Sequence, residues 1–498
     1  MLIPRPDSVF DRAQEWSDLS DLAGDSRPGI HLGIVSGRRR QGKTFLLRAL
    51  TSAAGGMYHQ AQELGRGQAL DRFAADVARA RNLPVGSLRF TDWDIALRTA
   101  LAYPARGSEV DTAQAGPNVL VLDELPYLLA NSPEIPSVLQ EIIDEAASRG
   151  LPPRCVIVCG SALSVMTDLL TGAKPLHGRA QLNMMIRPFG FRLAAQYWGI
   201  TDPTVAFHVD AVLGGTAGYR SLIEQDPPAT MRGFVPWLAR SALNPAHALF
   251  NEKDYLLRED PRITDKQPYN SILSAVAGGA HARSQIGSVV ARDSSGLQHP
   301  LEVLLSAGFL DRSQDALTQK RSTYAIADPI VRFGEVVVQP FNVLLEQRDV
   351  TTAWASAQPD FRARVLGPHF ERMCRDWVQS AVGQWPEPVG VVGTTVVSDP
   401  AGRSQHQLDV VALRRGDRAG QQGARVVVLG EAKSGEQVRT LRDLERLRHI
   451  QGVLAGRGAD VASAVLAVFG RGGFDKALRA AEAADPMVRL IDLADLYR

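Results

Sequence analysis

Gly37-Arg38-Arg39-Arg40-Gln41-Gly42-Lys43-Thr44 sets four residues between two glycines and follows them with a lysine and a hydroxyl. A short β-branched run, residues 30–36, precedes it, and a helical apolar pattern starts at Lys43. In that context the turn reads as a phosphate cradle. Backbone N–H groups of the loop and of the helix N-terminus would surround a β-phosphate. Lys43 would reach the β/γ oxygens, and the Thr44 hydroxyl would ligate Mg²⁺.

A second apolar run, Val119 to Leu122, ends in Asp123-Glu124. Asp123 is expected to hold Mg²⁺ through water, and Glu124 to orient or deprotonate an attacking water. The bland alternative is a solvated strand end. A third run ends Cys159-Gly160-Ser161. Ser161 either senses a γ-phosphate or caps the following helix. Arg179, in Leu176-His177-Gly178-Arg179, is either a surface charge or an arginine finger acting within the chain or across a subunit boundary.

Strands at 30–36, 119–122 and 156–159, with helices at 43–50, 68–81 and 92–101, predict an α/β fold with a parallel sheet. Helices follow at 191–199, 205–213 and 231–243. Three more (271–277, 284–291, 297–307) precede two short strands at 308–311 and 322–326, the order of a winged helix. Residues 347–359, polar and small, read as a linker. Beyond it come a helix at 362–381, strands at 407–413, 426–431, 463–469 and 488–492, and a helix at 440–454.

Two of those late strands carry Leu408-Asp409-Val410-Val411 and Gly430-Glu431-Ala432-Lys433. Alternate residues of a strand share a face, so Glu431 and Lys433 point the same way. If the strands pair, Asp409 lies beside Glu431 as a two-carboxylate metal site, with Lys433 placed to activate water. A salt-bridged strand pair is the plainer alternative.

The 498 residues predict two to four domains, and 45% apolar content is globular. A formal charge of +1 gives no overall field toward nucleic acid or acidic lipid, so any such surface must be local. Cys155, Cys159 and Cys374 have neither zinc nor disulfide spacing, and the ten histidines show no metal-ligand spacing. With no signal-peptide pattern and no long apolar stretch, a cytoplasmic protein without membrane contact is expected.

Phe10-Asp11-Arg12, the Gly-x-Arg-Arg-x-Gly-Lys-Thr turn, Leu-Asp-Glu, Gly-Ser and Leu-x-Gly-Arg together resemble the archaeal-type AAA+ ATPases, relatives of STAND NTPases. Gly214-Gly215-Thr216-Ala217-Gly218-Tyr219 is similar to that family's lid segment, with Ala217 where the family has proline. The 409/431/433 set resembles PD-(D/E)xK nucleases, and the resemblance adds Glu371 as a further metal ligand. The residue before Asp409 is Leu408, where that pattern has proline. The resemblance implies ATP and Mg²⁺ as cofactors, homo-oligomers through the ATPase domain, and DNA as partner. It divides the chain into a P-loop core (1–185), a helical lid (186–262), a winged helix (263–345) and a restriction-endonuclease-like α/β domain (346–498). The rival is a signalling switch whose last domain binds without cleaving.

Overall fold

Branched apolar runs without polar alternation must be covered on both faces, and the N-terminal sheet is covered in that way. The structure, a computed structural model, describes residues 3–103, 118–223, 225–319 and 321–498. Strands β1 (Ile30–Ser36), β2 (Met57–Gln60), β3 (Val119–Asp123), β4 (Arg154–Gly160) and β5 (Ala180–Met185) form one sheet in the order β2-β3-β4-β1-β5. Every pairing is parallel.

Period-two alternation sorts the side chains. Leu120 and Leu122 of β3, with Val156 and Val158 of β4, join Phe73, Trp93 and Ile142 from the helices Arg66–Ala80, Trp93–Leu101 and Ile135–Ser148. Val119, Val121, Cys155 and Ile157 face the other way, onto Trp16, Leu46 and Leu50 of the helices Ala13–Ala23 and Lys43–Ala54. Strands β2 and β5 were not expected from the sequence. Each lies at a sheet edge, and their residues alternate between covered and open, so they lack the continuous apolar run of a central strand.

The chain divides into two compact units. The first holds Met1–Pro188 together with two short returning segments, Thr216–Gly218 and Arg258–Ile263; the second holds the rest. Within the second, the helix Pro203–Leu213 is buried along its length from Val205. Helices Gln267–Ala277, Arg283–Val290 and Ser294–Ser306 then lead into an antiparallel pair, β6 (Leu310–Gln314) and β7 (Ser322–Ile326).

Residues 347–359 are not a linker. Val350–Asp360 is a helix, capped where the Asp349 side chain accepts from the Thr352 N–H at 3.1 Å. Its small residues form a packing face, since Ala353 and Ala357 are buried. Gly367–Ser380, a strongly two-faced helix with Phe370, Met373, Cys374 and Trp377 inward, follows after one π-helical stretch.

The last sheet has the order β12-β11-β10-β9-β8, built from β8 (Val389–Asp399), β9 (Ser404–Arg414), β10 (Val426–Lys433), β11 (Val465–Gly470) and β12 (Val488–Asp492). β8, β9 and β10 pair antiparallel, whereas β10, β11 and β12 run parallel. Leu444, Leu447, Ile450 and Leu454 of the helix Leu441–Ala455 pack on Leu408, Val411, Leu429 and Leu466. Leu447 is fully buried there. Leu447→Ala should destabilise this unit by about 2–5 kcal/mol through lost burial and a residual cavity, read as a lower urea midpoint.

Candidate functional site: a phosphate cradle and a carboxylate cluster

Parallel strands place their carboxyl ends along one edge of a sheet, and β1, β4 and β3 are neighbours in that order. The 37–44 turn leaves β1, Asp123 ends β3, and Ser161 follows β4, so the three segments converge at that edge. Gly37, at φ 152°, fits where a Cβ would lie 2.5 Å from the Ile186 carbonyl. Arg40 and Gly42 also have positive φ, and Gly42 caps the helix that begins at Lys43. Gln41 and Lys43 are buried. The Lys43 Nζ donates to the Gly37 and Arg38 carbonyls at 2.7 and 3.0 Å, a cation held across the mouth of the loop.

Asp123 is wholly buried. Its Oδ2 accepts from the Thr44 hydroxyl at 2.7 Å and from the Tyr58 hydroxyl, and its Oδ1 accepts from the Glu124 N–H at 2.9 Å. Burial, followed by the Asp123 charge, pushes the Tyr58 phenol well up, so it stays a donor. Glu124 sits in the left-handed region at φ 54°, a conformation uncommon outside glycine. Its Oε2 accepts from the Ser161 N–H and hydroxyl at 3.2 and 3.0 Å. Ser161 thus holds Glu124.

The two returning segments meet the same loop. Gly218 N–H donates to the Arg40 carbonyl at 2.7 Å, and a Cβ there would lie 2.7 Å from that oxygen. Arg39 pairs with Glu259 at 2.5 Å. Burial raises the Glu259 carboxyl against the opposing pull of Arg39, and Glu124 adds repulsion. Arg179 is directed elsewhere. Its guanidinium makes two 2.8 Å bonds to the Asp144 carboxylate and a third to the Pro175 carbonyl at 2.9 Å.

In the second unit, Asp409 and Glu431 are buried on neighbouring strands, and Lys433 lies beside both. The Lys433 Nζ is 2.6 Å from Glu431 Oε1 and 3.7 Å from Asp409 Oδ2. Asp409 Oδ2 also accepts from the Ala432 N–H at 3.0 Å, and Gln407 reaches Oδ1 at 3.3 Å. Arg446 pairs with Glu431 Oε1, while the buried Oε2 has no hydrogen-bond partner. Glu371, on the helix Gly367–Ser380, is pushed up to about 7 by burial first and the Asp409 charge second. The same two causes raise Glu431. Burial lowers Lys433, but Asp409 and Glu431 outweigh it and the net shift is upward. Arg375 donates to the Asp409 carbonyl at 3.0 Å, and burial pushes Arg332 down to about 10.

Tyr58, Glu259, Arg375 and Arg446 were not singled out from the sequence. Tyr58 lies on the unexpected β2. Glu259 belongs to a segment that carries no motif. An arginine on the polar side of the helix Leu441–Ala455 looks like any solvated charge.

No family model matches the chain. It is 22% identical over 327 residues to the uncharacterized protein MJECL04 of Methanocaldococcus jannaschii, covering 65% of this chain and 67% of the relative. Among solved structures it is similar to the Walker-type ATPase PABY2304 of Pyrococcus abyssi, with 18% identity, TM-score 0.48, and 67% and 99% of the two chains covered. It is also similar to the ORC2 protein of Aeropyrum pernix in its ADPNP-ADP complexes, with 13% identity, TM-score 0.42, and 71% and 97% covered.

The Gly218 contact generates a direct test of how the returning segment supports the loop. Gly218→Ala forces backbone away from Arg40 and should lower stability by about 1–3 kcal/mol in denaturant unfolding. A variant as stable as the parent would show that this contact does not brace the loop.

Proposed function

We propose that the chain binds and hydrolyses ATP with Mg²⁺ and acts on DNA, the nucleotide state controlling a winged helix and a metal-dependent, nuclease-like C-terminal region. In this reading, residues 1–185 are the ATPase core, 186–262 the lid, 263–345 the winged helix and 346–498 the nuclease-like domain. The observation that carries the ATPase half is the Thr44–Asp123 hydrogen bond beside the Lys43 cradle. A hydroxyl and a carboxylate already in contact at a phosphate loop are the donor set for a hard, oxygen-seeking cation. Thr44 and Asp123 would hold Mg²⁺, which neutralises charge on the β- and γ-phosphate oxygens. Lys43 would turn from its two carbonyls to phosphate. Glu124, held by Ser161, would take a proton from, or orient, the attacking water.

The nuclease half rests on the meeting of Asp409, Glu431 and Lys433, with Glu371 on the facing helix. The orphaned Glu431 Oε2 is a buried oxygen with room in its coordination, so the donor set fits a divalent cation. Such an ion would stabilise charge on a phosphodiester and lower the pKa of water. Lys433 stands where it would steady a pentavalent phosphate. Lys433, Arg446, Arg375 and Arg332 surround the acids with cations suited to a polyanion.

A second reading, a nucleotide-controlled switch whose last domain binds without cutting, is favoured by one observation. Arg446 and Lys433 already neutralise Glu431 Oε1. Arg179, paired with Asp144, is assigned here to the fold or to a subunit boundary. An oligomer is the arrangement in which it would reach a neighbouring phosphate.

Two sets of variants test the proposal. Lys43→Ala should weaken ATP binding at least tenfold, because the phosphate charge loses its cation. Glu124→Gln should keep binding and slow turnover by about 10²–10⁴-fold, the contribution typical of a general base. Unchanged ATP turnover in Glu124→Gln removes that residue as base. Glu431→Ala should abolish Mg²⁺- or Mn²⁺-dependent DNA cleavage while leaving ATPase activity intact, and Lys433→Ala should cut the cleavage rate more than metal affinity. A parent protein that binds DNA but never cleaves it, with either metal and with or without ATP, selects the switch.

A further inference from the structure

Two residues seven apart and one from a later helix meet at the tip of the β8–β9 hairpin. Asp399 ends β8, His406 lies near the start of β9, and His449 is on the helix Leu441–Ala455. Their candidate ligand atoms all lie within 4.8 Å of one another. His449 Nε2 is 2.8 Å and His406 Nε2 3.6 Å from the same oxygen, Asp399 Oδ2. The two imidazoles cross almost perpendicularly, with ring centroids 5.4 Å apart. We propose that Asp399, His406 and His449 form a binding site for Zn²⁺ or a similar borderline transition-metal dication, distinct from the Asp409–Glu431 cluster.

Donor chemistry is the first argument. Two imidazole nitrogens and one carboxylate are a zinc set, whereas Mg²⁺ prefers oxygen throughout. Bonds of about 2.0–2.1 Å in a tetrahedron put ligand atoms about 3.3 Å apart. The 2.8 and 3.6 Å separations bracket that spacing, so small side-chain adjustments are enough.

The second argument is how the carboxylate is held. Asp399 is buried, and its other oxygen, Oδ1, accepts from the Gly402 N–H at 3.0 Å. That bond fixes the carboxylate plane and turns Oδ2 toward both imidazoles, as outer partners do for metal ligands. Gly402 leaves room for this placement of Oδ2, since a Cβ there would lie 2.5 Å from that oxygen and push the side chain aside. Arg403, at φ 47°, closes the turn in a left-handed conformation and returns the chain so that His406 lies on the same side.

Three protein ligands leave a fourth position for water. With His449 on the helix and the other two on the hairpin, the ion would clip β8 and β9 to the helix that also carries Arg446. Bound there, the ion would tie the hairpin to that helix, so its effect is expected on the stability of this region.

The test uses the full chain, stripped with a chelator and dialysed. Titration with Co²⁺ should give the intense visible absorption of a tetrahedral site, and Zn²⁺ should displace it at one equivalent. His449→Gln and His406→Gln should each weaken Zn²⁺ binding by more than about 100-fold, beyond the loss typical of outer partners. Asp409→Asn should leave that binding unchanged, which separates this site from the nuclease-like cluster. Zn²⁺ should raise the Tm of the parent and of Asp409→Asn but not of the two histidine variants. A stripped chain that takes up no Zn²⁺ overturns the site, as does Zn²⁺ uptake in the Asp409→Asn background that survives both histidine substitutions.

Discussion

A carboxylate buried at the end of a covered strand has no water to turn to, and the rest of this structure is arranged around that cost. Asp123 ends β3 with none of its surface exposed. Removing an ionised group from water without partners costs several kcal/mol. Its partners come from three elements: Thr44 from the helix after β1, Tyr58 from β2, and the N–H of Glu124. The strand order that brings β1 and β2 to flank β3 and β4 is therefore also the order that satisfies the carboxylate. A slip of β3 by one residue would reverse its faces and turn Asp123 away from the Thr44 and Tyr58 hydroxyls.

The same constraint governs the C-terminal sheet, but a different class of partner meets it. Asp409 accepts from the Ala432 N–H and the Gln407 amide, and Glu431 Oε1 pairs with the cations Lys433 and Arg446, while Glu431 Oε2 is left without a hydrogen-bond partner. The antiparallel β9–β10 pairing puts Gly430 opposite Val410, so one further step in the same register brings Asp409 level with Glu431. Gly430 keeps the strand free of a side chain where Val410 and the Phe469 ring come within 3.0 and 3.1 Å of its Cβ position.

Both acid centres were legible in the sequence where chemistry and periodicity coincided. The glycine-lysine turn announced itself because a phosphate cradle needs those residue types at that spacing. Asp123, Asp409 and Glu431 stood out as acids ending or interrupting apolar runs, a pattern that folding alone does not favour. Tyr58 and Arg446 were invisible for the opposite reason, since a tyrosine on a four-residue edge strand and an arginine on a polar helix face are what any surface contains. The helix Val350–Asp360 was misread because alanine, threonine and serine carry little apolar signal, although Ala353 and Ala357 are buried by virtue of their small size. β8 escaped notice because Gly390, Gly393 and Thr394-Thr395 interrupt its apolar residues. The histidine cluster has no linear spacing at all; only the hairpin and the later helix bring its members together.

The two acid centres differ in charge balance, and that difference bears on how each would accept a cation. Around Asp123 the hydrogen-bond donors are hydroxyls and an N–H, all neutral, so in the proposed reading a metal–nucleotide complex would bind there without first displacing an ion pair. Around Glu431, two cations already share Oε1. A divalent ion at the second centre must either displace Arg446 or Lys433 from that oxygen or enter through Oε2, which has no hydrogen-bond partner. Displacement leaves a guanidinium or an ammonium free at the rim, where a phosphate would be its natural next partner. In the proposed reading, the cations that neutralise the acids at rest are the groups that would receive a phosphodiester once metal arrives, so metal and nucleic acid would bind this centre cooperatively rather than in competition.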